Sequence, residues 1–173
     1  MQTCYLGLGS NLGDSRQIFR SFLNDFSQEE HIDLINVSSC YLSKPMADKN
    51  QPDYLNAVIC INTDLSPHEL LDLLHKYESL YGRVRTGVHW DARTIDLDIL
   101  LYGQLQLNET DLVIPHYGIS EREFVLYPLS EIAPQLNIPG LGAISALLSC
   151  CDKRGMIKLN DNDCDIKTAK IER

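Results

Sequence analysis

In the first part of the chain, a strand-like apolar run is followed by apolar residues at helical spacing. The run at 3–8 has the composition of a strand and leads into a Gly-Ser-Asn turn cluster at 9–11. Asp14 or Ser15 is then in position to cap a helix, because the apolar residues that follow recur at helical spacing. These residues are Ile18, Phe19, Phe22, Leu23 and Phe26.

Two further strands are predicted before the next helix. Strands are predicted over 32–41 and 54–62, and the polar, proline-containing stretch 43–53 between them has no periodicity, which predicts a long loop. Ser66 caps the next helix, with proline at the first helical position and glutamate three residues after the cap. Gly82 is suited to end this helix, whose apolar face consists of Leu70, Leu71, Leu73, Leu74, Tyr77 and Leu80.

Three further elements are predicted after this helix. Beyond an irregular stretch at 83–92 we predict a strand over 94–102 with a turn after it, and an extended segment over 112–117 that runs into a loop. Pro128 predicts that a helix within 123–131 is short or begins at the proline.

The order of the elements indicates the fold class. A short apolar helix is predicted over 143–149, and from Cys151 the chain becomes polar and is expected to fray. We therefore expect a single domain over 1–150 and a polar tail over 151–173. Two strands follow one another without a helix between them, which predicts an α+β fold with a mostly antiparallel sheet rather than a doubly wound parallel one.

Composition and charge narrow the functional class. The chain has 173 residues, of which 44% are hydrophobic and 23% charged, as in ordinary globular domains. The net charge of −9 argues against a nucleic-acid partner. No apolar run approaches the roughly 18 residues of a membrane span, and the start of the chain does not resemble a secretory signal. We expect a cytoplasmic protein without a membrane partner, a monomer with a homodimer as the alternative.

The six cysteines do not indicate metal or redox chemistry, because none is in a Cys-x-x-Cys pair. Cys4, Cys40 and Cys60 lie in apolar, strand-like runs. They are predicted to be buried thiols in a reducing compartment.

Two aspartates interrupt the apolar strand at 94–102. Alternation places Ile95, Leu97, Ile99 and Leu101 on one face, and Asp96 and Asp98 about 6.6–7 Å apart on the other. Two carboxylates this close repel each other, and a divalent cation such as Mg²⁺ relieves the repulsion. The alternative is an edge strand with two solvated aspartates.

A cluster of cations precedes these aspartates and consists of Arg83, Arg85, His89 and Arg93. Arginines beside a carboxylate pair suit a metal–polyphosphate complex, because the metal bridges phosphate oxygens and the arginines take the remaining charge. The alternative is a solvated loop with salt bridges to Glu78 and Asp91. Trp90 in the same loop either packs or covers a planar ligand.

His116 and the glycine cluster each allow two interpretations. A histidine near apolar residues is usually structural, although with Arg122 it would complete a phosphate clamp. The glycines at 7–13 follow a strand and precede a helix, as in a dinucleotide-binding motif, but their spacing is Gly-x-Gly-x-x-x-Gly and the predicted sheet order does not fit.

Taken in order, these motifs resemble the 6-hydroxymethyl-7,8-dihydropterin pyrophosphokinase family. The resemblance covers roughly residues 3–150, and the ordered set is more specific than any one of its parts. The set comprises Gly9-Ser10-Asn11, Gln51-Pro52-Asp53-Tyr54-Leu55-Asn56, Gly82-Arg83-x-Arg85, Trp90, Arg93-x-x-Asp96-x-Asp98-Ile99, Pro115-His116 and Arg122-x-Phe124-Val125-Leu126-x-Pro128-Leu129.

The resemblance implies a ferredoxin-like α+β sandwich with helices packed on the sheet and two long mobile loops. It also implies a reaction of folate biosynthesis, in which the pterin hydroxymethyl oxygen attacks the β-phosphorus of ATP and AMP leaves. The stretches 43–53 and 83–92 would be lids that exclude water.

The resemblance further implies a role for each matching residue. Two Mg²⁺ ions would be held by Asp96 and Asp98, and Arg83 and Arg93 would be catalytic with them. ATP would be contacted by Glu78, Arg85, Trp90, Arg93, His116, Tyr117 and Arg122. The pterin would lie between Tyr54 and Phe124, with Ser43, Pro45 and Asn56 at its edge.

The chain departs from the family pattern at loop and rim positions. These are Ala47, Asn50, His89, Asp91, Ala92 and Asp111. These differences would affect nucleotide affinity and lid kinetics. A paralogue that acts on a different pterin is therefore an alternative. Two different functions also fit part of the pattern: an Asp-x-Asp nucleotide-sugar transferase, which would bind a UDP-sugar, and a binding module without turnover.

Overall fold

The computed structural model describes residues 1–45, 50–83, 92–160, 164 and 166. No helix within those ranges has the length and apolar composition needed to cross a bilayer.

One antiparallel sheet organises the described chain. Its strands run in the order β10-β3-β4-β1-β5, and β2 also pairs with β4. These strands are β1 (Gln2–Ser10), β2 (Ile32–Val37), β3 (Tyr41–Ser43), β4 (Tyr54–Thr63), β5 (Asp96–Tyr102) and β10 (Ile157–Lys158). Two small hairpins pair β6 (Leu107–Asn108) with β7 (Val113–Ile114) and β8 (Asn137–Ile138) with β9 (Gly142–Ala143). The predicted antiparallel α+β class is confirmed.

Several of the predicted strands have different bounds in the structure. β1 continues through Ser10, because Gly9 and Ser10 pair with Asn56 and Leu55 of β4. The strand predicted over 32–41 is two strands, β2 and β3, which pair with different parts of β4. At the break between them, the Ser38 hydroxyl accepts a hydrogen bond from the Val58 backbone N–H.

Helices α1 (Ser15–Phe26) and α2 (Pro67–Leu80) cover one face of the sheet. Asp14 caps α1 by accepting from the Gln17 N–H, and Ser66 and Glu69 form the predicted capping box of α2. Gly82, with φ +79°, follows the end of α2 as predicted. The apolar residues of both helices pack on the sheet and include Phe19, Phe22, Phe26, Leu70 and Leu74, all fully buried.

Helices α3 (Glu123–Ile132) and α4 (Ile144–Cys150) pack on the opposite face. The helix α3 has ten residues and runs through Pro128, so of the two predicted alternatives, a short helix or one that begins at the proline, the second is wrong. Burial of Leu126, Pro128 and Leu129 against the sheet outweighs the one hydrogen bond that proline removes.

A bulge in β5 changes the predicted alternation. The register with β1 shifts between Tyr5 and Leu6, so that Leu100 has no direct partner. Ile95, Leu97 and Ile99 share one face as predicted, the face covered by α1 and α2, whereas Leu101 joins Leu100 on the α3–α4 side. The placement of Leu101 was wrong because one extra residue in a strand reverses the faces of those that follow.

The first part of the tail is ordered against the sheet. β10 pairs with β3, and the Leu159 N–H donates to the Cys40 carbonyl at 2.9 Å. The chain therefore does not fray directly after Cys151. Cys40 forms a disulfide with Cys164, so it is not the free thiol expected from the sequence, whereas Cys4 and Cys60 are buried thiols as predicted.

Candidate functional site

A cleft of about 430 Å³ lies over one end of the sheet, a volume suited to small-molecule ligands. Every predicted site residue that the structure describes lines it: Ser43, Pro45, Tyr54, Asn56, Glu78, Arg83, Arg93, Asp96, Asp98, His116, Tyr117, Arg122 and Phe124. Arg85 and Trp90 lie outside the described residues, as do Ala47, His89 and Asp91.

The aspartate pair forms one wall of the cleft. Asp96 and Asp98 alternate with the buried Leu97 on β5, and they lie opposite Gly9 and Gly7 of β1. A Cβ at Gly9 would lie 3.7 Å from the Asp96 Cβ and 3.9 Å from the Asn56 Oδ1. Glycine therefore leaves the space between the carboxylate and the amide open. The expectation that both aspartates share one face is confirmed.

Two arginines neutralise Asp96. Its Oδ1 accepts from Arg83 and its Oδ2 from Arg93. Arg83 also donates to the Glu78 carboxylate, which is 2% exposed and accepts from the Leu97 N–H at 2.9 Å. The Glu78 carboxylate of α2 thus fixes both an arginine of the cleft and the backbone of the strand that carries the aspartates.

The charged form of the Asp98 carboxyl is disfavoured in this position. Burial, followed by repulsion from Asp96, raises its pKa well above the ordinary carboxyl range, although Arg122 and Arg83 act in the opposite direction. A cation between the two carboxylates would remove this penalty, so the donor set fits a hard divalent ion.

His116 is held as a neutral donor toward the cleft. Its Nδ1 accepts from the Gly118 N–H at 3.1 Å, which leaves the proton of the neutral ring on Nε2. Burial, and then the nearby Arg122, lower the His116 pKa to about 4. A neutral imidazole with Nε2–H can donate to a phosphate oxygen.

Arg122 links the histidine segment to the first turn of α3. Its guanidinium donates to the Tyr117 hydroxyl at 3.1 Å and lies 5.1 Å from the Tyr117 ring centroid and 5.9 Å from that of Phe124. A Cβ at Gly118 would lie 2.5 Å from the Arg122 Nε, so a side chain at this position would displace the guanidinium.

The opposite wall presents an oriented amide. The Asn56 Nδ2 donates to the Ser43 hydroxyl at 2.9 Å and to the carbonyls of Tyr41 and Tyr54. Asn56 is 5% exposed, and its donors are used within the protein. Its Oδ1 is therefore the group that can accept from a ligand, beside the rings of Tyr54 and Phe124 that also line the cleft.

Asn11, which is 4% exposed, was not among the predicted site residues. Its Oδ1 accepts from the Arg93 N–H at 2.8 Å, and its Nδ2 donates to the Gln51 side chain at 3.2 Å and to the Pro52 carbonyl at 3.4 Å. One buried amide therefore joins the ends of the two predicted loops. The glycine-rich setting of Asn11 was the signal that could have identified it.

The far end of the cleft was also missed. Leu71 and His75 line it from α2, and residues 110–113 line it from the β6–β7 hairpin. The spacing of Leu71, His75 and Glu78 along one helix face was the signal that could have identified it. Asp111, a departure from the family pattern, lies here, 3.8 Å from the His68 Nε2.

Comparisons with known proteins agree with this geometry. A family model described as 7,8-dihydro-6-hydroxymethylpterin-pyrophosphokinase matches residues 5–134. The 2-amino-4-hydroxy-6-hydroxymethyldihydropteridine pyrophosphokinase of Haemophilus influenzae is 46% identical over 160 residues, which is 92% of this chain and 99% of that protein. The protein of the same name from Pseudomonas aeruginosa is 40% identical over 159 residues, covering 92% of this chain and 98% of its own length.

The fold is likewise shared with solved structures. The crystal structure of Plasmodium falciparum HPPK-DHPS, a triple mutant with STZ-DHP, superposes with a TM-score of 0.67 at 14% identity, covering 86% of this chain and 43% of that one. The predicted ferredoxin-like α+β fold is confirmed by this similarity.

Proposed function

The chain belongs to the 7,8-dihydro-6-hydroxymethylpterin-pyrophosphokinase family, and we propose that its cleft binds MgATP along Asp96, Asp98 and the arginines and binds the pterin beside Asn56. The enzyme is an ATP-dependent pyrophosphokinase of folate biosynthesis. The observation that carries the assignment of the cleft is the aspartate pair on β5, beside which the same cleft is lined by arginines, an oriented amide and two aromatic rings.

Asp96 and Asp98 are the proposed Mg²⁺ ligands. When bound, two Mg²⁺ ions would neutralise the phosphate oxygens and the charge that develops during transfer. The fit rests on the two carboxylates that share one face and on the raised pKa of Asp98, to which repulsion from Asp96 contributes. Asp96 is already neutralised by Arg83 and Arg93, so these arginines exchange Asp96 for phosphate oxygens when MgATP binds.

His116 and Arg122 complete the proposed phosphate site. The Nε2–H of His116 donates without adding charge, and Arg122 supplies a cation beside it. Glu78 orients Arg83 rather than contacting the anionic phosphates itself, because its carboxylate is buried and hydrogen-bonded. Tyr117 is a proposed nucleotide contact, supported by its exposure beside the Arg122 guanidinium. Arg85 and Trp90 remain predicted nucleotide contacts.

The pterin half of the cleft is proposed from its shape and hydrogen-bonding groups. Tyr54 and Phe124 provide aromatic faces for a planar ring. The Asn56 Oδ1 accepts from a ring N–H, and Ser43 and Pro45 lie at the edge of the same region.

The proposed reaction needs positioning more than a protein nucleophile. The hydroxymethyl oxygen forms a bond to the β-phosphorus, the bond from that phosphorus to the oxygen bridging it to the α-phosphorus breaks, and AMP leaves with the bonding electron pair. The alcohol proton passes to solvent. Arg83, Arg93 and Arg122 hold the phosphate chain in line with the pterin oxygen.

Metal binding by the aspartates is tested with Mn²⁺ as a spectroscopic substitute for Mg²⁺. We expect electron paramagnetic resonance titrations with a non-hydrolysable ATP analogue to show bound Mn²⁺ in the unmodified protein and at least about tenfold weaker binding in Asp96→Asn and Asp98→Asn. Asp72→Asn, an exposed position on α2, makes the same charge change and controls for net charge. Unchanged Mn²⁺ affinity in both cleft variants would rule out these ligands.

Location and assembly remain proposals. We propose a cytoplasmic monomer, and the buried free thiols of Cys4 and Cys60 support the cytoplasmic location. The Cys40–Cys164 disulfide is less typical of a reducing compartment. Alkylation of thiols in intact cells followed by mass spectrometry would show whether this pair is bonded there.

A further inference from the structure

One charged group outside the cleft connects the elements that build its pterin half. Glu131 lies in the last turn of α3, and neither Glu131 nor its partners Ser39 and Tyr41 are among the residues that line the cleft. Its side chain is nevertheless only 20% exposed. A carboxylate in such a place needs several hydrogen-bond donors, and the structure provides them.

Both Glu131 oxygens are occupied. Oε1 accepts from the Ser39 N–H at 3.1 Å and the Ser39 hydroxyl at 2.9 Å, while Oε2 accepts from the Tyr41 hydroxyl at 2.8 Å and the Lys158 Nζ at 3.2 Å. Burial alone would raise the Glu131 pKa, but the hydrogen bonds from Tyr41, Ser39 and Lys158 lower it to about 2. The Glu131 carboxylate is therefore charged at neutral pH, and it connects α3 with the Ser39–Tyr41 segment and with β10.

The segment that most needs this support is β3. It has three residues, so its ladder with β4 consists of three residue pairs only. Yet the Tyr41 carbonyl and the Ser43 hydroxyl of β3 both accept from the Asn56 amide. The direction of the Asn56 Oδ1 into the cleft thus depends on where β3 lies.

The same carboxylate fixes α3, which carries Phe124 at the cleft end and Glu131 at the other. Tyr54 belongs to β4, the partner of β3. The separation between the two aromatic walls therefore depends on the docking of α3 against β3 and β4. Lys158 adds the tail strand to this arrangement, since β10 pairs with β3 at the same point.

We propose that Glu131 is a positioning residue for pterin binding, acting through Ser39 and Tyr41 on the placement of Asn56 and Phe124. This inference rests on the proposed location of the pterin site. A purely structural role would lower stability without distinguishing between the two substrates. A positioning role changes the affinity for the pterin more than the affinity for the nucleotide. Most of the proposed nucleotide contacts lie on β5 and in the segments next to it and to α2, and of these contacts Arg122 alone adjoins α3.

The test compares the dissociation constants of the full-length protein for the pterin and for a non-hydrolysable MgATP analogue. We expect Glu131→Gln to weaken pterin binding about tenfold and nucleotide binding less than about twofold. Tyr41→Phe, which removes one hydrogen bond and keeps the ring, should weaken pterin binding about threefold and remains informative if Glu131→Gln does not fold. Ser130→Ala is the matched control, because the Ser130 hydroxyl donates within α3, to the Tyr127 carbonyl at 2.8 Å.

Two results would overturn the inference. One is equal weakening of pterin and nucleotide binding. The other is a lower melting temperature with unchanged pterin affinity in both variants. Either result would show that the role of Glu131 is purely structural. Asn56→Ala separates this failure from failure of the pterin site itself. If Asn56→Ala leaves pterin binding unchanged, the proposed pterin site is wrong and the role of Glu131 is refuted with it.

Discussion

Replacing Arg93 with alanine should change the affinity for free metal and for metal–nucleotide in opposite directions. The guanidinium donates to the Asp96 Oδ2, so in the protein without ligands it competes with a cation for a proposed metal ligand. Once MgATP is bound, the same guanidinium is proposed to contact phosphate. Removing it therefore frees the Asp96 Oδ2 for a metal ion, while Arg83 still donates to the Oδ1, but it also removes a contact to the nucleotide.

The size of the expected change in Mn²⁺ affinity follows from the partial burial of the Arg93–Asp96 ion pair. The side chains of Arg93 and Asp96 are 19% and 22% exposed, between an exposed ion pair worth up to about 1 kcal/mol and a buried pair whose disruption costs about 3–5 kcal/mol. Charge-assisted hydrogen bonds contribute about 1.5–3 kcal/mol. Taking about 1.5 kcal/mol, we expect Mn²⁺ alone to bind about tenfold more tightly to Arg93→Ala.

The assay is a Mn²⁺ titration followed by electron paramagnetic resonance, performed with and without a non-hydrolysable ATP analogue. With the analogue we expect binding of the complex to weaken by about tenfold or more. Arg16→Ala, at an exposed position of α1, controls for the loss of one positive charge. If Arg93→Ala weakens Mn²⁺ binding in both conditions, Arg93 does not compete for Asp96, and the proposed exchange is wrong.

Three further predictions concern the groups that support the cleft. Asn11→Ala should lower kcat/KM about 10–100-fold, since it disconnects Gln51 and Pro52 from Arg93; exposed Asn24→Ala serves as the control, and equal kinetics for the two variants would contradict this role. Glu78→Gln removes a buried charge that pairs with Arg83, so we expect a loss of about 3 kcal/mol and a melting temperature lower by about 6–12 °C in calorimetry; a shift no larger than that of exposed Glu30→Gln would refute it. His116 has its pKa lowered to about 4 from 6.5, so between these pH values the unfolded chain binds more protons and stability falls as the pH decreases. Urea unfolding should show a shallower decrease over pH 6.5–4 for His116→Gln, and an unchanged slope would show that His116 does not contribute.

Local periodicity predicted the parts of the site that lie within one element. The positions of Asp96 and Asp98 follow from strand alternation alone, and the start of α2 follows from its capping residues. The bulge at Leu100 could not be predicted this way, because its cause is the register between β1 and β5 rather than any local composition. Leu101 was consequently predicted on the wrong face.

Periodicity could not predict contacts between residues that are distant in sequence. Glu131 and Ser39 are separated by 92 positions and Cys40 and Cys164 by 124, so nothing in either local segment identifies its partner. The convergence of the site residues on one cleft was expected only through the family resemblance, since no pattern within a strand or helix specifies which elements meet. The Asn11 amide also links segments far apart, Gln51 and Arg93.

The most direct measurement is product analysis after incubation with MgATP and 6-hydroxymethyl-7,8-dihydropterin. Chromatography should show AMP and the pterin diphosphate ester in equal amounts, little ADP, and no AMP when the pterin is omitted. Asp98→Asn should abolish both products, while Asp72→Asn should not. ADP with a pterin monophosphate, or AMP formed without pterin, would contradict pyrophosphoryl transfer at this site.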